Sequence, residues 1–177
     1  MTKDTWGPNL WHILHVIAKS FPEKPTINDK NTAYQLVKYL ATILPCQQCQ
    51  KHYMSNFTKV PPNLKSGKEF FIWTVKIHNS VNKLNNSKTY TPVQAFNITP
   101  NVLNSTKMST TFSYLVKEAH ISNVSKIGLT KFIDCLTYLS RYSAGSWSLP
   151  ENRDITTRQI HNRSYKNNFR MRRRKFR

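Results

Sequence analysis

Residues 66–82 read SGKEFFIWTVKIHNSVN, and this stretch carries the periodicity of an amphipathic helix. Its apolar residues Phe70, Trp73, Ile77 and Val81 recur at three- and four-residue spacing, which places them on one helix face. A helix with one apolar face must bury that face against other elements. This stretch therefore predicts one member of a helical bundle.

Two segments before this stretch show the same spacing, and a third helix is predicted from its start after Pro45. The three segments cover residues 6–21, about 32–44 and about 46–57, and Pro45 separates the second segment from the third. After the stretch, Thr91 and Pro92 are typical of the N-cap and first residue of a short helix, which we predict over residues 93–96. Short connections between four amphipathic helices predict a four-helix bundle with a short fifth helix.

The second half of the chain has a different composition. Residues 97–108 are polar and rich in helix breakers, so we expect a linker there. Helical spacing returns in residues 112–120 and 129–139, and Ala144-Gly145 is a plausible stop. We expect these two helices to pack on the bundle or on a partner.

The predicted fold is therefore all-α and has three parts. These are a bundle over residues 1–96, a linker with accessory helices over residues 97–150, and a basic tail over residues 151–177 that is disordered when free.

The charge of the chain points to anionic partners. Lys and Arg total 27 against 8 Asp and Glu, giving a formal net charge of +19, and all nine arginines lie from Arg141 onward. Residues 158–177 hold nine basic and no acidic residues, with Tyr165, Phe169 and Phe176 interleaved. Such a tail could bind phosphate backbones without sequence preference. A nucleic-acid-binding or virion-packaging protein is thus one hypothesis; a localisation signal or a solubilising end would also fit.

Features of membrane and secreted proteins are absent from the sequence. No apolar run approaches the roughly 18–20 residues that span a bilayer. The first residues include Asp4 and lack the apolar core of a signal peptide. We therefore expect a protein without a membrane span that is not secreted.

A cysteine pair is the sharpest chemical signal. Cys46 and Cys49 lie three apart at a predicted helix start, where the free N–H groups and the helix dipole stabilise a thiolate. This spacing favours a dithiol redox centre. A zinc site that adds His52 or Cys135 and a pair of inert buried thiols are the alternatives. Cys135 lies in an apolar helix, and we expect it to be buried and inert.

Histidines and aromatic residues recur at helical spacing around this pair. Trp11 and His15 are four apart in the first helix, and His78 and Asn82 are four apart in the fourth, with Asn79 beside them. Each residue taken singly is more often a core or surface residue than a ligand. Together they suit a planar cofactor, and the chain has no G-x-G-x-x-G motif and no P-loop.

These motifs, in this order, resemble the Erv/ALR family of FAD-dependent sulfhydryl oxidases, most closely the versions encoded by large DNA viruses. The resemblance covers residues 5–96. It rests on Trp6-Gly7-Pro8 with Trp11 and His15, on Cys46-x-x-Cys49-x-x-His52-Tyr53, and on Trp73 with His78-Asn79-x-Val81-Asn82.

The resemblance implies an FAD-binding oxidase that forms disulfides in protein substrates and passes electrons to oxygen, releasing hydrogen peroxide. It implies that Cys46 exchanges with substrate and Cys49 faces the flavin, with no metal. The implied cofactor-binding residues are Gly7, Trp11, His15, Tyr53, His78, Asn79, Val81, Asn82, Lys88 and Tyr90. Relatives often carry a second, shuttle CxxC, which this chain lacks. We therefore expect direct docking of dithiol proteins or a thioredoxin-like relay partner, a homodimer, and a location in host cytoplasm or virion if the chain is viral.

Overall fold

The computed structural model describes residues 3–121 and 124–149, and within them the chain forms seven helices and no strand. They are α1 (Lys3–Ser20), α2 (Ile27–Ile43), α3 (Gln47–Lys59), α4 (Gly67–Leu84), α5 (Pro92–Ile98), α6 (Ser105–Ile121) and α7 (Lys126–Leu139). The predicted all-α fold is confirmed. The predicted tail over residues 151–177 lies outside the described residues.

The first four helices form the predicted bundle. α1 packs against α4, α3 packs against both α2 and α4, and the short α5 packs on α4. Burial of a large apolar side chain contributes about 1.5–3 kcal/mol, so the shared core is the main source of stability. Its largest fully buried members are Ile13, Leu14, Ile17, Phe21, Leu36, Ile43, Phe70, Phe71 and Ile77.

The start of α2 differs from the prediction, because the helix begins at Ile27 rather than near Thr32. Thr26 and Asp29 form a capping box: the Thr26 hydroxyl accepts from the Asp29 N–H (3.2 Å), and the Asp29 carboxylate accepts from the Thr26 N–H (2.8 Å). Ile27 is 79% exposed, so the first turn depends on this cap rather than on apolar burial. A prediction based on the apolar stripe misses such a turn.

The two C-terminal helices pack on the bundle. α6 lies against α1, and α7 lies along α2 in the antiparallel direction. At one end of this pair the Ser125 N–H donates to the Thr42 carbonyl (2.9 Å), and at the other end Asn28 donates to the Tyr138 hydroxyl (2.7 Å). α6 begins at Ser105, so the connection after α5 is shorter than the predicted linker over residues 97–108.

The chain after α7 turns back onto the bundle. α7 ends at Leu139 rather than at Ala144-Gly145, and Gly145 lies in a turn with a φ of 114°. Trp147 is then buried, and its indole N–H donates to the Phe21 carbonyl at the end of α1 (2.9 Å). A tertiary contact therefore anchors this segment.

Within the described part of the chain, no helix has both the length and the hydropathy needed to cross a bilayer.

Candidate functional site

Cys46 and Cys49 are joined by a disulfide at the start of α3. Cys46 is the N-cap residue of the helix, and its Sγ accepts a hydrogen bond from the Cys49 N–H (3.2 Å). Both residues are half-buried. After reduction, the free N–H groups of this first turn would stabilise a thiolate, which favours thiol–disulfide exchange at this position.

Two hydrogen bonds tie α3 to α2 and hold the cysteine pair in place. Gln50 donates to the Leu44 carbonyl (2.8 Å), and the buried Tyr53 hydroxyl donates to the Val37 carbonyl (2.9 Å). Burial raises the pKa of Tyr53, so the phenol remains a donor at neutral pH. The Tyr53 side chain is therefore uncharged, and its ring is part of the buried core.

The disulfide lies on the wall of a cavity of about 850 Å³ formed by α1, α2, α3, α4, the segment before α5 and the end of α5. This volume is in the upper part of the range of about 300–1,000 Å³ found for ligand and cofactor sites. Both cysteines and nine of the ten residues predicted to bind a cofactor line it. The nine are Gly7, Trp11, His15, Tyr53, His78, Val81, Asn82, Lys88 and Tyr90.

The tenth residue, Asn79, does not line the cavity. Its side-chain amide pairs with the backbone of Tyr90, accepting from the N–H (3.0 Å) and donating to the carbonyl (2.7 Å). Asn82 donates to the Lys88 carbonyl (2.9 Å). These two asparagines hold the segment before α5 against α4, so that Lys88 and Tyr90 stay at the cavity edge.

Aromatic rings form one wall of the cavity. Trp11 and His78 stack in nearly parallel planes, with centroids 4.2 Å apart and 10° between the planes. The pKa of His15 is lowered to about 3, mainly by burial and to a smaller extent by the neighbouring His78 and His12. Burial also lowers the pKa of His78 to about 4. Both imidazoles are therefore neutral at physiological pH.

The sequence motifs did not indicate several residues that line or support the cavity. His12, Leu40, Leu84 and Ile98 line the cavity, and Leu84 and Ile98 are 62% and 64% exposed. Lys19 is buried behind it and donates from Nζ to the carbonyls of Phe96 (2.9 Å) and Thr99 (2.6 Å), which fixes the end of α5. His12 beside Trp11 was a possible signal. Nothing in the local sequence indicates the partners of Lys19.

The described residues contain no group of three or more His, Cys, Asp or Glu side chains that could hold a metal ion. Cys135 lies in a separate groove between α2 and α7. The expectation that it is buried is wrong, since it is only partly buried. Burial and the nearby Asp134 still raise the pKa of its thiol, which keeps it in the less reactive protonated form.

The cavity suits a flat cofactor. Stacked rings supply an aromatic wall, neutral imidazoles and amides supply hydrogen bonds, and an added Cβ at Gly7 would meet no atom within 4 Å, which leaves open space there. Lys88 at the edge, with its ammonium 5.2 Å from the Tyr90 ring centre, could pair with a phosphate.

The fold and the site together define a class: small helical-bundle proteins in which a helix-terminal cysteine pair opens onto a cofactor-sized cavity. The chain belongs to the Erv1/Alr family, whose family model matches residues 8–99, just over half of it. The resemblance predicted from the sequence motifs is confirmed, with nearly the same bounds.

Individual relatives agree with this assignment. "FAD-linked sulfhydryl oxidase ERV1" of Arabidopsis thaliana is 34% identical over 83 residues, which are 47% of this chain and 44% of that protein. "Probable FAD-linked sulfhydryl oxidase R368" of Acanthamoeba polyphaga mimivirus is 30% identical over 62% of this chain and 78% of that protein. Viral relatives also occur in Invertebrate iridescent virus 3 and Frog virus 3. The chain spans less than half the length of the plant relatives that it matches.

Solved structures show the same fold. The structure titled "Crystal structure of FAD binding domain of Erv1 from Saccharomyces cerevisiae" superposes with a TM-score of 0.51 and 28% identity, over 52% of this chain and 88% of that chain. The yeast Erv1 core gives the same TM-score at 27% identity.

Proposed function

We propose that this chain is an FAD-dependent sulfhydryl oxidase that forms disulfide bonds in protein substrates. The observation that carries the proposal is the Cys46–Cys49 disulfide on the wall of an aromatic-lined cavity of cofactor size. Family membership supports it, because the matched relatives are named FAD-linked sulfhydryl oxidases. The net reaction converts two thiols and one O₂ into one disulfide and one H₂O₂.

The protein's part in this reaction is thiol–disulfide exchange. A substrate thiolate attacks the Sγ of Cys46 and forms a mixed disulfide, and the Cys49 sulfur leaves as a thiolate that the α3 N-terminus stabilises. A second substrate thiol, after losing its proton, attacks the substrate sulfur of the mixed disulfide. The substrate leaves oxidised, and Cys46 and Cys49 hold its two electrons.

FAD, when bound, would accept these two electrons and deliver them to oxygen. Trp11, His15 and His78 would contact its rings from α1 and α4, Val81 and Asn82 would line it, and Gly7 would leave room for it. Tyr53 and Tyr90 would pack nearby, and Lys88 would face its phosphates. Asn79 would act through Tyr90, whose backbone it holds. The protein thereby positions the cysteine pair, and the cofactor supplies the redox chemistry.

Cysteine variants test the reaction. Cys49→Ser and Cys46→Ser should each abolish oxygen consumption driven by a small dithiol, while the purified proteins keep flavin absorbance. Cys135→Ser is the matched control, because Cys135 lies outside the cavity, and it should consume oxygen at the rate of the unmodified protein. Unchanged oxygen consumption in Cys46→Ser or Cys49→Ser would refute the mechanism.

Cavity variants test the cofactor site separately. Trp11→Ala and His78→Ala should lose flavin on purification and should no longer be stabilised by added FAD. For a ligand that binds only the folded state, this stabilisation is about 2.7 kcal/mol at a hundred times the dissociation constant. Full flavin occupancy with unchanged melting in both variants would place the cofactor elsewhere.

The partners and the location belong to the same proposal. The substrate would be a dithiol protein that docks directly or a thioredoxin-like relay, since Cys135 is the only cysteine outside the pair. We propose a homodimer, a location in host cytoplasm or virion if the chain is viral, and accessory binding of polyanions by the basic tail. Light scattering of the purified protein would test the dimer.

A further inference from the structure

A chain of hydrogen bonds runs behind the aromatic wall of the cavity. The Thr74 hydroxyl lies 2.8 Å from the Phe71 carbonyl, and its Oγ1 lies 2.9 Å from Nδ1 of His15. Nε2 of His15 lies 2.9 Å from Nδ1 of His78. Four groups on two helices are thus linked in a fixed order that ends at a cavity-lining imidazole.

The hydrogen bond between Thr74 and the Phe71 carbonyl determines which group donates in each of the other two hydrogen bonds. A carbonyl oxygen only accepts, so the single hydroxyl hydrogen of Thr74 must lie between its Oγ1 and the Phe71 oxygen. If that hydrogen pointed at His15 instead, two oxygens 2.8 Å apart would face each other with no hydrogen between them. Oγ1 of Thr74 is therefore the acceptor of the bond with His15.

The acceptor role of Thr74 then determines which ring nitrogens of His15 and His78 carry hydrogen. Nδ1 of His15 must carry a hydrogen to donate to Thr74, and a neutral imidazole carries only one. Nε2 of His15 is then the acceptor, so Nδ1 of His78 is the donor and Nε2 of His78 keeps its lone pair. No hydrogen bond to that Nε2 is made by the described residues. Both rings are neutral at physiological pH, as their lowered pKa values show.

Packing keeps the rings in these orientations. His78 stacks on Trp11, and His15 packs against Phe71 with centroids 5.8 Å apart. Thr74 itself is fully buried on the core face of α4 and lies behind the cavity wall rather than on it. It can influence a ligand only through the two histidines.

We propose that Thr74 is a positioning residue that sets the tautomers of His15 and His78, so that His78 offers an unprotonated Nε2 to a hydrogen-bond donor of the bound cofactor. The identity of that cofactor rests on the proposed function; the tautomers do not. For a flavin dinucleotide the donor would be a ring N–H or an amino group, which donate but do not accept. Reversed tautomers would turn the same nitrogen into a donor and would clash with these groups.

Histidine tautomers are read directly from imidazole ¹⁵N shifts in long-range ¹H–¹⁵N spectra of the full-length protein with its bound cofactor. In the unmodified protein, both His15 and His78 should carry hydrogen on Nδ1. Thr74→Val keeps the side-chain shape but removes the acceptor. His15 should then shift its hydrogen to Nε2 and donate to His78, which moves the His78 hydrogen to Nε2 as well. Thr74→Ser restores the hydroxyl and should restore the original tautomers.

Cofactor affinity gives the second measurement. Thr74→Val should weaken flavin binding about tenfold, the equivalent of one lost hydrogen bond, whereas Thr74→Ser should stay close to the unmodified protein. Circular dichroism would show whether Thr74→Val folds; if it does not, the spectra of the unmodified protein and Thr74→Ser decide the tautomers.

The outcomes separate this inference from the proposed function. Hydrogen on Nε2 of His78 in the unmodified protein, or tautomers unchanged in a folded Thr74→Val, would overturn the role of Thr74. Reversed tautomers with unchanged flavin affinity would overturn the role of His78 as an acceptor. If the protein bound no flavin but showed the expected tautomers, the proposed function would fail and the positioning by Thr74 would stand.

Discussion

At position 67 the backbone of α4 passes so close to its neighbours that a methyl group has no room. A Cβ built on Gly67 would lie 2.2 Å from the Phe21 carbonyl oxygen and 2.2 Å from Nε1 of Trp147. These are the two atoms of the hydrogen bond that anchors the segment after α7. One residue without a side chain therefore permits the junction of α1, α4 and this segment.

We expect Gly67→Ala to lower the free energy of unfolding by about 1–3 kcal/mol, because the added methyl must displace Trp147 or the α1 terminus. Urea unfolding of the flavin-free protein measures this. Gly7→Ala is the control, since a Cβ there meets nothing within 4 Å and Ala is the better helix former. Equal or greater stability in Gly67→Ala would show that the junction adapts without cost.

At the scale of elements, the contact between α2 and α7 converges on Asp29. Its carboxylate is fully buried and accepts from Thr26, Tyr138 (3.1 Å), Tyr142 (2.8 Å) and Arg141 (2.9 Å). Burial acts to raise the pKa of Asp29, but the hydrogen bonds from Thr26, Tyr142 and Tyr138 together outweigh it, and the pKa lies below the ordinary value. One side chain thus caps α2 and fastens the end of α7.

Asp29→Asn should destabilise the protein by about 1.5–3 kcal/mol, because hydrogen bonds to a charged acceptor are lost and amide hydrogens face buried donors. Since the folded pKa is lowered, the stabilisation is complete above the unfolded value near 3.9 and disappears as the pH falls through the folded pKa. The difference in unfolding free energy between the unmodified protein and Asp29→Asn should therefore shrink only below about pH 4.

Asp134→Asn on α7 is the matched control. Asp134 is 62% exposed and its nearest cation, Lys131, is 4.0 Å away, so its loss should change stability by less than about 0.5 kcal/mol. Equal effects of the two substitutions, or an Asp29 effect that persists to the lowest pH, would argue against the buried carboxylate as the link.

At the scale of the whole molecule, the C-terminal helices complete the bundle. α7 buries Leu129, Phe132, Leu136 and Leu139 against α2. At about 1.5–3 kcal/mol each, their burial is comparable to the total stability of a typical domain. A chain ending at residue 104 should therefore be largely unfolded without cofactor, while a chain ending at residue 150 folds. Circular dichroism with urea titration compares the two, and matching unfolding midpoints would contradict the expectation.

We expect the basic tail, residues 151–177, to contribute to polyanion binding and not to the folding of the bundle. A chain ending at residue 150 should keep flavin binding and oxidation of small dithiols but lose retention on heparin, because nine positive charges lie in residues 158–177. The full chain's retention should fall steeply as salt rises. Loss of flavin from the shortened chain would contradict this division, and salt-resistant, sequence-specific DNA binding by the full chain would favour a nucleic-acid role.

Local patterns predicted most of the helices and most of the residues that line the cavity. α1, α2 and α4 follow from apolar spacing, and Thr91 and Pro92 begin α5 as predicted. The cysteine pair at the start of α3 follows from its position after Pro45. Helix periodicity and capping depend on residues within one or two turns of each other, so they are legible in the sequence. The bounds of α2, α6 and α7 are exceptions: a capping box rather than an apolar stripe forms the first turn of α2, α6 begins inside the predicted linker, and α7 ends before the predicted stop.

Long-range packing decided the rest. The sequence predicted an all-α chain with a cysteine pair at a helix start and most of the aromatic and histidine residues that line the cavity, because those signals are local. Only the tertiary structure joined His15 to Thr74, 59 residues apart, and Trp147 to the Phe21 carbonyl, 126 residues apart. It also turned Asn79 towards Tyr90 and placed α7 along α2. Such contacts depend on how finished helices pack, and no spacing within one helix specifies the atoms of another.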